Sequence, residues 1–187
     1  MIAYGFCGSF CTHADSLKAL ETLVMAGEKV VPVFSEKVLS TSTRFGTHED
    51  LVMKAETLCS AEGIKSIVEA EEKITRGNID CFIISPCTGN TLAKIAHGIT
   101  DGTVTMAAKA QLRNGRPILI ALASNDALGG NFQNIATLAQ RKNVFFVPLG
   151  QDDPIKKPTS LVCDFKKIPQ ALKLAIEGKQ MQPMLLK

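Results

Sequence analysis

Short, uninterrupted aliphatic runs alternate with amphipathic stretches along this 187-residue chain, and that alternation restricts the fold more than any other feature. Ile2 to Cys7, Val30 to Phe34, Asp80 to Ser85, Pro117 to Ala123 and Val144 to Val147 read as strands, the last of these closing the series. A strand that is apolar on both sides must be covered on both faces, as parallel strands in α/β proteins are. Between the runs, Leu17, Leu20, Leu23 and Val24 share one helical face, with Thr12 placed to cap the helix and Gly27 to stop it. Thr47 with Asp50 marks another capped start, for a helix ending near Gly63. Ile64 to Ile67 reads as a short strand. Helices are expected over Glu69 to Ile74, from Leu92 through Ile95, Ala96 and Ile99, and over Thr105 to Arg113 and Phe132 to Gln140. A Pro-rich loop and a terminal helix carrying Ile168, Leu172, Ala175 and Ile176 follow. The fold class is α/β, a doubly wound parallel sheet in a single domain over residues 1–187.

Composition narrows the function classes. Hydrophobic residues make up 45%, and the longest clean apolar run, Ile118 to Ala123, is far below the ~18 residues of a membrane span. The net charge of +3 comes from scattered pairs such as Arg141-Lys142, Lys156-Lys157 and Lys166-Lys167, and aromatics are only 5%. A nucleic-acid surface concentrates basic residues on one face, so nucleic acid is not expected as a partner. No basic leader with a cleavage site follows Met1, and Cys7, Cys11, Cys59, Cys81, Cys87 and Cys163 form no C-x-x-C pair. That is cytoplasmic usage, with thiols as small core residues. His13, His48 and His97 are too far apart to read as a local metal motif, so no metal site is expected.

In open α/β sheets ligands bind beyond the carboxyl ends of the strands. Here those ends read Gly8-Ser9, Ser35, Ser85 to Thr91 and Ser124-Asn125-Asp126, all small, hydroxyl or amide residues. At a helix start such residues leave backbone N–H groups and a favourable dipole facing an anion. Any one of them could simply cap its helix; their recurrence at four ends points to a phosphate-bearing ligand. G-x-x-x-x-G-K-[ST] is absent, and Gly5-Phe6-Cys7-Gly8-Ser9 is not G-x-G-x-x-G, which argues against a P-loop or an ordinary NAD site. A flavin mononucleotide (FMN), with one phosphate and a hydroxylated chain, suits the polar ends better.

The segment Pro86-Cys87-Thr88-Gly89-Asn90-Thr91-Leu92-Ala93-Lys94-Ile95-Ala96 resembles the P-A-S-x-N-T-x-x-K-I-A signature of the flavin-containing cysteine decarboxylase superfamily. Further strings resemble the B-subunit family of dipicolinate synthase: Thr41 to Gly46, Met106 to Ala110, Leu112 to Gly115, Ser124 to Gly129, and Phe146 to Pro154 followed by Lys156-Lys157-Pro158. In order, they span essentially the whole chain. The resemblance implies a flavodoxin-like or Rossmann-like three-layer sandwich that binds FMN and assembles into trimers or multiples of trimers. It also implies a partner, the A subunit of dipicolinate synthase, carrying the NAD(P) site. The implied reaction is oxidation of a small dicarboxylate, dihydrodipicolinate, to dipicolinate in the mother cell of a spore-forming bacterium during sporulation. The cofactor residues it points to are Gly8, Ser9, Ser35, Thr88, Gly89, Asn90 and Thr91.

The chain departs from the decarboxylases in two places. Ile67 to Asn78, before the Asp80 to Ser85 strand, holds no histidine, and Ser124 to Gly129 stands where those enzymes carry P-x-M-N-x-x-M-W. The alternatives are a stand-alone FMN-dependent decarboxylase or prenyltransferase, or a non-catalytic scaffold for the A subunit. Candidate catalytic residues are Arg44, whose guanidinium suits a carboxylate, His48 as acid or base, and Asn125 as a substrate partner. A surface histidine in a first helical turn explains His48 equally well, and Asn125 with Asp126 could merely end a strand. Arg113 and Lys109 are alternative cations that could also be solvated or at an interface. Cys87 is either a helix-start thiol of lowered pKa or a small packed residue, His13 either a phosphate neighbour or a helix-start residue. Met53 and Met106 read as core or interface filler.

Overall fold

A computed structural model describes residues 1–186. Five parallel strands, β1 (Ile2–Phe6), β2 (Val30–Phe34), β3 (Cys81–Cys87), β4 (Ile118–Ser124) and β5 (Val144–Phe146), lie in the order β2-β1-β3-β4-β5. Every residue of β1 and β3 is buried, as their aliphatic character requires. Two further strands, β6 (Leu149–Gly150) and β7 (Leu161–Cys163), extend the sheet. β7 runs antiparallel to the end of β4, pairing Ala123 with Val162 and Ser124 with Leu161, and antiparallel to β6. The sheet is therefore mixed, not wholly parallel, and Val144 to Val147 is not the last strand. Strands of two and three residues are too short to show a hydrophobic period.

Among the described residues eight α-helices complete three layers: α1 (His13–Met25), α2 (Glu36–Ser40), α3 (His48–Cys59), α4 (Ile67–Arg76), α5 (Gly89–Ala96), α6 (Thr103–Arg113), α7 (Phe132–Ala139) and α8 (Ile168–Ile176). α1, α3 and α8 pack on one face of the sheet; α5, α6 and α7 cover the other, with α4 against α6. Leu20 and Leu23 of α1 and Ile168, Leu172 and Ala175 of α8 are buried, as their spacing predicts. Among the described residues no helix is long and apolar enough to cross a membrane.

Four local expectations change. Ile64 makes a single bridge to Val33, not a strand. Ile99 is 46% exposed because α5 ends at Ala96 and Gly98, at φ +71, turns the chain away. Ile176, the last residue of α8, is also exposed. Thr12 does occupy the α1 cap position, but its hydroxyl donates to the Ser9 carbonyl at 2.9 Å instead of accepting from the helix.

Candidate functional site

The carboxyl ends of β1, β2, β3 and β4 open onto two adjoining grooves. One, of about 670 Å³, is walled by Gly8, Phe10, Ser35, Thr88, Asn90 and Thr91 together with Glu36, Lys37, Lys94 and the start of α6. The other, of about 570 Å³, shares Gly8, Phe10 and Thr88 and adds Ser9, Gly89, Ser124, Asn125, Asp152 and Lys157. All seven residues assigned to a cofactor by sequence thus border this pair of grooves.

Thr88 organises the site. It is the N-cap of α5, its Oγ1 accepting from the Thr91 N–H at 3.1 Å and donating to Thr91 Oγ1 at 3.0 Å. The Leu92 N–H is taken by the Thr88 carbonyl at 2.9 Å. The first four N–H groups of a helix lack intrahelical partners, so those of Gly89 and Asn90 remain for a ligand at the positive end of the α5 dipole. Gly89 has no room for a side chain: a Cβ there would lie 2.6 Å from Asn131 Nδ2 and 2.7 Å from Ser124 Oγ. Ser35 caps α2, accepting from the Val38 N–H.

A second helix start, that of α6, faces the first groove but is already occupied. Glu36 Oε1 accepts from the Thr103 N–H at 2.8 Å and from Thr103 Oγ1 at 2.9 Å. Lys94 is paired with Asp101 at 2.9 Å. A phosphate entering this groove therefore meets the open start of α5 with Lys37 nearby, while the start of α6 carries its own carboxylate.

Beneath the grooves lies a polar knot that joins three elements. The Tyr4 hydroxyl donates to the Ser16 carbonyl and shares a hydrogen bond with Ser85 Oγ, both at 2.9 Å, and Ser16 Oγ donates to the Ser85 carbonyl at 2.7 Å. All three side chains are fully buried, so Ser85 fixes α1 and β1 to β3 and does not line the ligand site. Cys7 and Cys87 are buried as well. Burial pushes the Cys7 thiol up to about 11 and the Cys87 thiol well above its ordinary range. Cys87 ends a strand inside the core, and the lowered thiol pKa considered for it is excluded by desolvation.

The three catalytic candidates are placed differently. Asn125 borders the second groove, its carbonyl accepting from Thr159 Oγ1 at 2.7 Å. Arg44 borders neither groove; it is exposed, with its guanidinium 4.9 Å from the centre of the Phe45 ring, and it is Phe45 that reaches the second groove. His48 lies in a separate cleft of about 140 Å³ with His13. Its Nδ1 pairs with Ser42 Oγ at 3.0 Å and its Nε2 with Glu49 at 3.1 Å, so it is engaged in holding the Ser42 to His48 loop. His13 donates from Nε2 to the Cys7 carbonyl at 2.7 Å, and burial holds its imidazole below the usual range.

Sequence reasoning missed Lys157. It stands on the loop between β6 and β7, read from sequence as solvated surface, yet it borders the second groove, its Nζ 2.9 Å from Asp152. Hydrogen bonds from Ser160 and Lys157 keep Asp152 ionised, below the usual carboxylate range. The same loop is tied to the β4 end by the Thr159 contact to Asn125 and by the Leu128 N–H donating to the Thr159 carbonyl at 2.9 Å. Nothing short of the antiparallel pairing places this lysine at the site. Among the described residues no three His, Cys, Asp or Glu side chains gather as a metal site.

The fold recurs in known proteins. The flavoprotein family profile matches residues 9–173. The B subunit of dipicolinate synthase from Bacillus subtilis (strain 168) is 44% identical over 185 residues, covering 99% of this chain and 92% of that protein. The crystal structure of the corresponding dipicolinate synthase B subunit from Bacillus halodurans superimposes with a TM-score of 0.91 at 39% identity, covering 100% of this chain and 95% of the other. The FMN-dependent cysteine decarboxylase SpaF shares the fold, with a TM-score of 0.70 at 21% identity over 93% of this chain and 95% of its own. The chain therefore belongs to the flavoprotein family and, within it, to the B-subunit proteins of dipicolinate synthase.

Proposed function

We propose that this chain, acting as one α/β unit over residues 1–187, binds FMN along the strand ends and works with the synthase's A subunit to oxidise dihydrodipicolinate to dipicolinate. The substrate arises from hydroxytetrahydrodipicolinate by loss of water, and NAD(P) on the A subunit takes the electrons at the end. The observation that carries the reading is the open start of α5, ringed by seven hydroxyl, amide and glycine positions, beside a second groove that holds a lysine.

The residues present fit the cofactor. Gly89 and Asn90 N–H groups, Thr88 and Lys37 would hold the phosphate; Gly8, Ser9, Ser35 and Thr91 suit the hydroxylated chain. When bound, FMN supplies a two-electron acceptor, and aromatisation of the substrate ring favours the transfer. The protein's own task is then to position and to exclude water. Lys157, held as a cation by ionised Asp152, meets a substrate carboxylate, and Asn125 orients the ring. Phe10 and Phe45 shield the second groove from solvent. Arg44 would reach the substrate only through movement of its loop, and His48 is committed to holding that loop. By analogy with relatives the chain assembles into trimers or their multiples and acts in the cytoplasm of the mother cell during sporulation.

A second reading has its own support. With the α6 start closed by Glu36 and Lys94 paired to Asp101, the first groove offers a phosphate little net charge; a chain that stabilises the A subunit without flavin would look the same. Dipicolinate formation by the purified A subunit, with and without this chain and with and without added FMN, separates them. The main reading predicts product only with both chains and FMN. Full activity without FMN would establish the scaffold, and full activity of the isolated A subunit would overturn both.

A further inference from the structure

A third groove, of about 660 Å³, runs between α5 and α6. It begins at Thr105, which also walls the first groove at the strand ends, and reaches Gly115 and Asn143, just before β4 and β5. Its floor is apolar, with Ile95, Ala108 and Leu112 leading to Ile99, which is 46% exposed. Lys109, Arg113, Arg141 and Lys142 stand around it, and no acidic residue lines it. Among the described residues none of these four cations has a carboxylate partner, whereas Lys94, on the same helix as Ile95, is paired with Asp101.

Two of the guanidinium groups are already fixed. Arg113 Nη2 donates to Thr75 Oγ1 at 2.9 Å, and Arg141 Nη1 donates to the Ile95 carbonyl at 3.2 Å. Each keeps further N–H donors for a ligand. From its first-turn start at Thr105 the groove runs toward the negative ends of α5 and α6, which accounts for part of the basic character there and disfavours a small free anion as occupant. An apolar floor gains little from such an ion either. What satisfies both features is a segment with apolar side chains on one face and carboxylates flanking them, the helix-in-groove mode of recognition.

We propose that this groove docks an acidic amphipathic segment of the A subunit, an inference that rests on reading the chain as a synthase B subunit. Because Thr105 belongs to both grooves, the docking groove adjoins the first groove at the strand ends. The cation pattern supplies the specificity and steers the encounter, and Ile99 supplies the apolar contact.

The test is binding of the full chain to the purified A subunit, measured by calorimetry at two salt concentrations. Lys109 and Lys142 are exposed and make no ion pair, so the double variant K109E/K142E keeps its fold. It should weaken binding at least about 30-fold, and Ile99→Asp should weaken it at least about tenfold. Raised salt should weaken the wild-type complex. The control K166E/K167E, beside α8 on the other face of the sheet, should bind as wild type does, and FMN uptake should be unchanged in every variant. Wild-type affinity in K109E/K142E, or equal weakening in the control, would overturn the proposal alone. Loss of self-association with affinity for the A subunit intact would also overturn it, by making a second copy the occupant. A wild-type chain that never binds the A subunit would overturn the B-subunit reading and this docking site together.

Discussion

The two grooves at the strand ends share Gly8, Phe10 and Thr88 but are built from different parts of the chain. The first stands on the parallel strands and the helices that follow them; its donors are backbone N–H groups and short hydroxyls fixed by capping. The second borrows a wall from the β6–β7 extension, which brings Lys157 and Asp152 to Asn125. A groove of the first kind offers geometry for a phosphate and a hydroxylated chain, one of the second kind a movable charge for a substrate. In the proposed reading the cofactor rests mainly on the parallel strand ends, and the substrate also needs the β6–β7 extension.

The contrast predicts unequal stability. Ile120, fully buried in β4, should cost about 2–5 kcal/mol when changed to alanine. Val162 in β7 is only partly buried, and the same change should cost about 1 kcal/mol. Urea unfolding of the two variants measures both; equal losses would mean that the extension is as integral as the core.

Gly89→Ala should act on the start of α5, which both grooves share through Thr88. The added methyl must displace Asn131 and Ser124 from 2.6 and 2.7 Å, which disturbs the start of α5. FMN affinity should fall at least about tenfold, read by fluorescence titration. Unchanged affinity would detach the α5 start from the cofactor.

Lys157→Ala tests the second groove. It should raise the KM for substrate about tenfold while leaving flavin content untouched, whereas Arg44→Ala should change KM less. A larger effect at Arg44 would show that its loop closes over the site.

The smallest expected effect is a pH dependence through His13, which ties α1 to the end of β1. Burial holds the folded imidazole below the unfolded value of about 6.5, so the native state keeps it neutral. Its contribution is whole above that unfolded value and is lost as pH falls through the depressed folded one. Thermal melts should therefore show a lower Tm at pH 5 than at pH 7.5. His13→Gln, which retains a donor for the Cys7 carbonyl, should flatten the difference.

The same contrast separates what was legible in the sequence from what was not. The buried parallel strands announce themselves as aliphatic runs, and Thr47 and Gly27 punctuate their helices where short-range rules place them. The first groove was readable because its residues follow strands directly. Lys157 was not, because its place depends on pairing of Leu161 and Val162 with Ser124 and Ala123, a long-range contact without a local pattern. Arg44 and His48 stand close together in sequence and looked like site residues; Phe45 and Ser42 engage them locally instead. The mixed sheet escaped for the reason Lys157 did.

The most direct test is the visible absorption spectrum of freshly purified protein, before and after adding FMN and removing the excess by gel filtration. Flavin bands that co-elute with the protein, at up to one per chain, are the predicted result. A colourless protein that takes up no FMN would contradict the assignment of the α5 start and leave this chain the function of a scaffold for the A subunit.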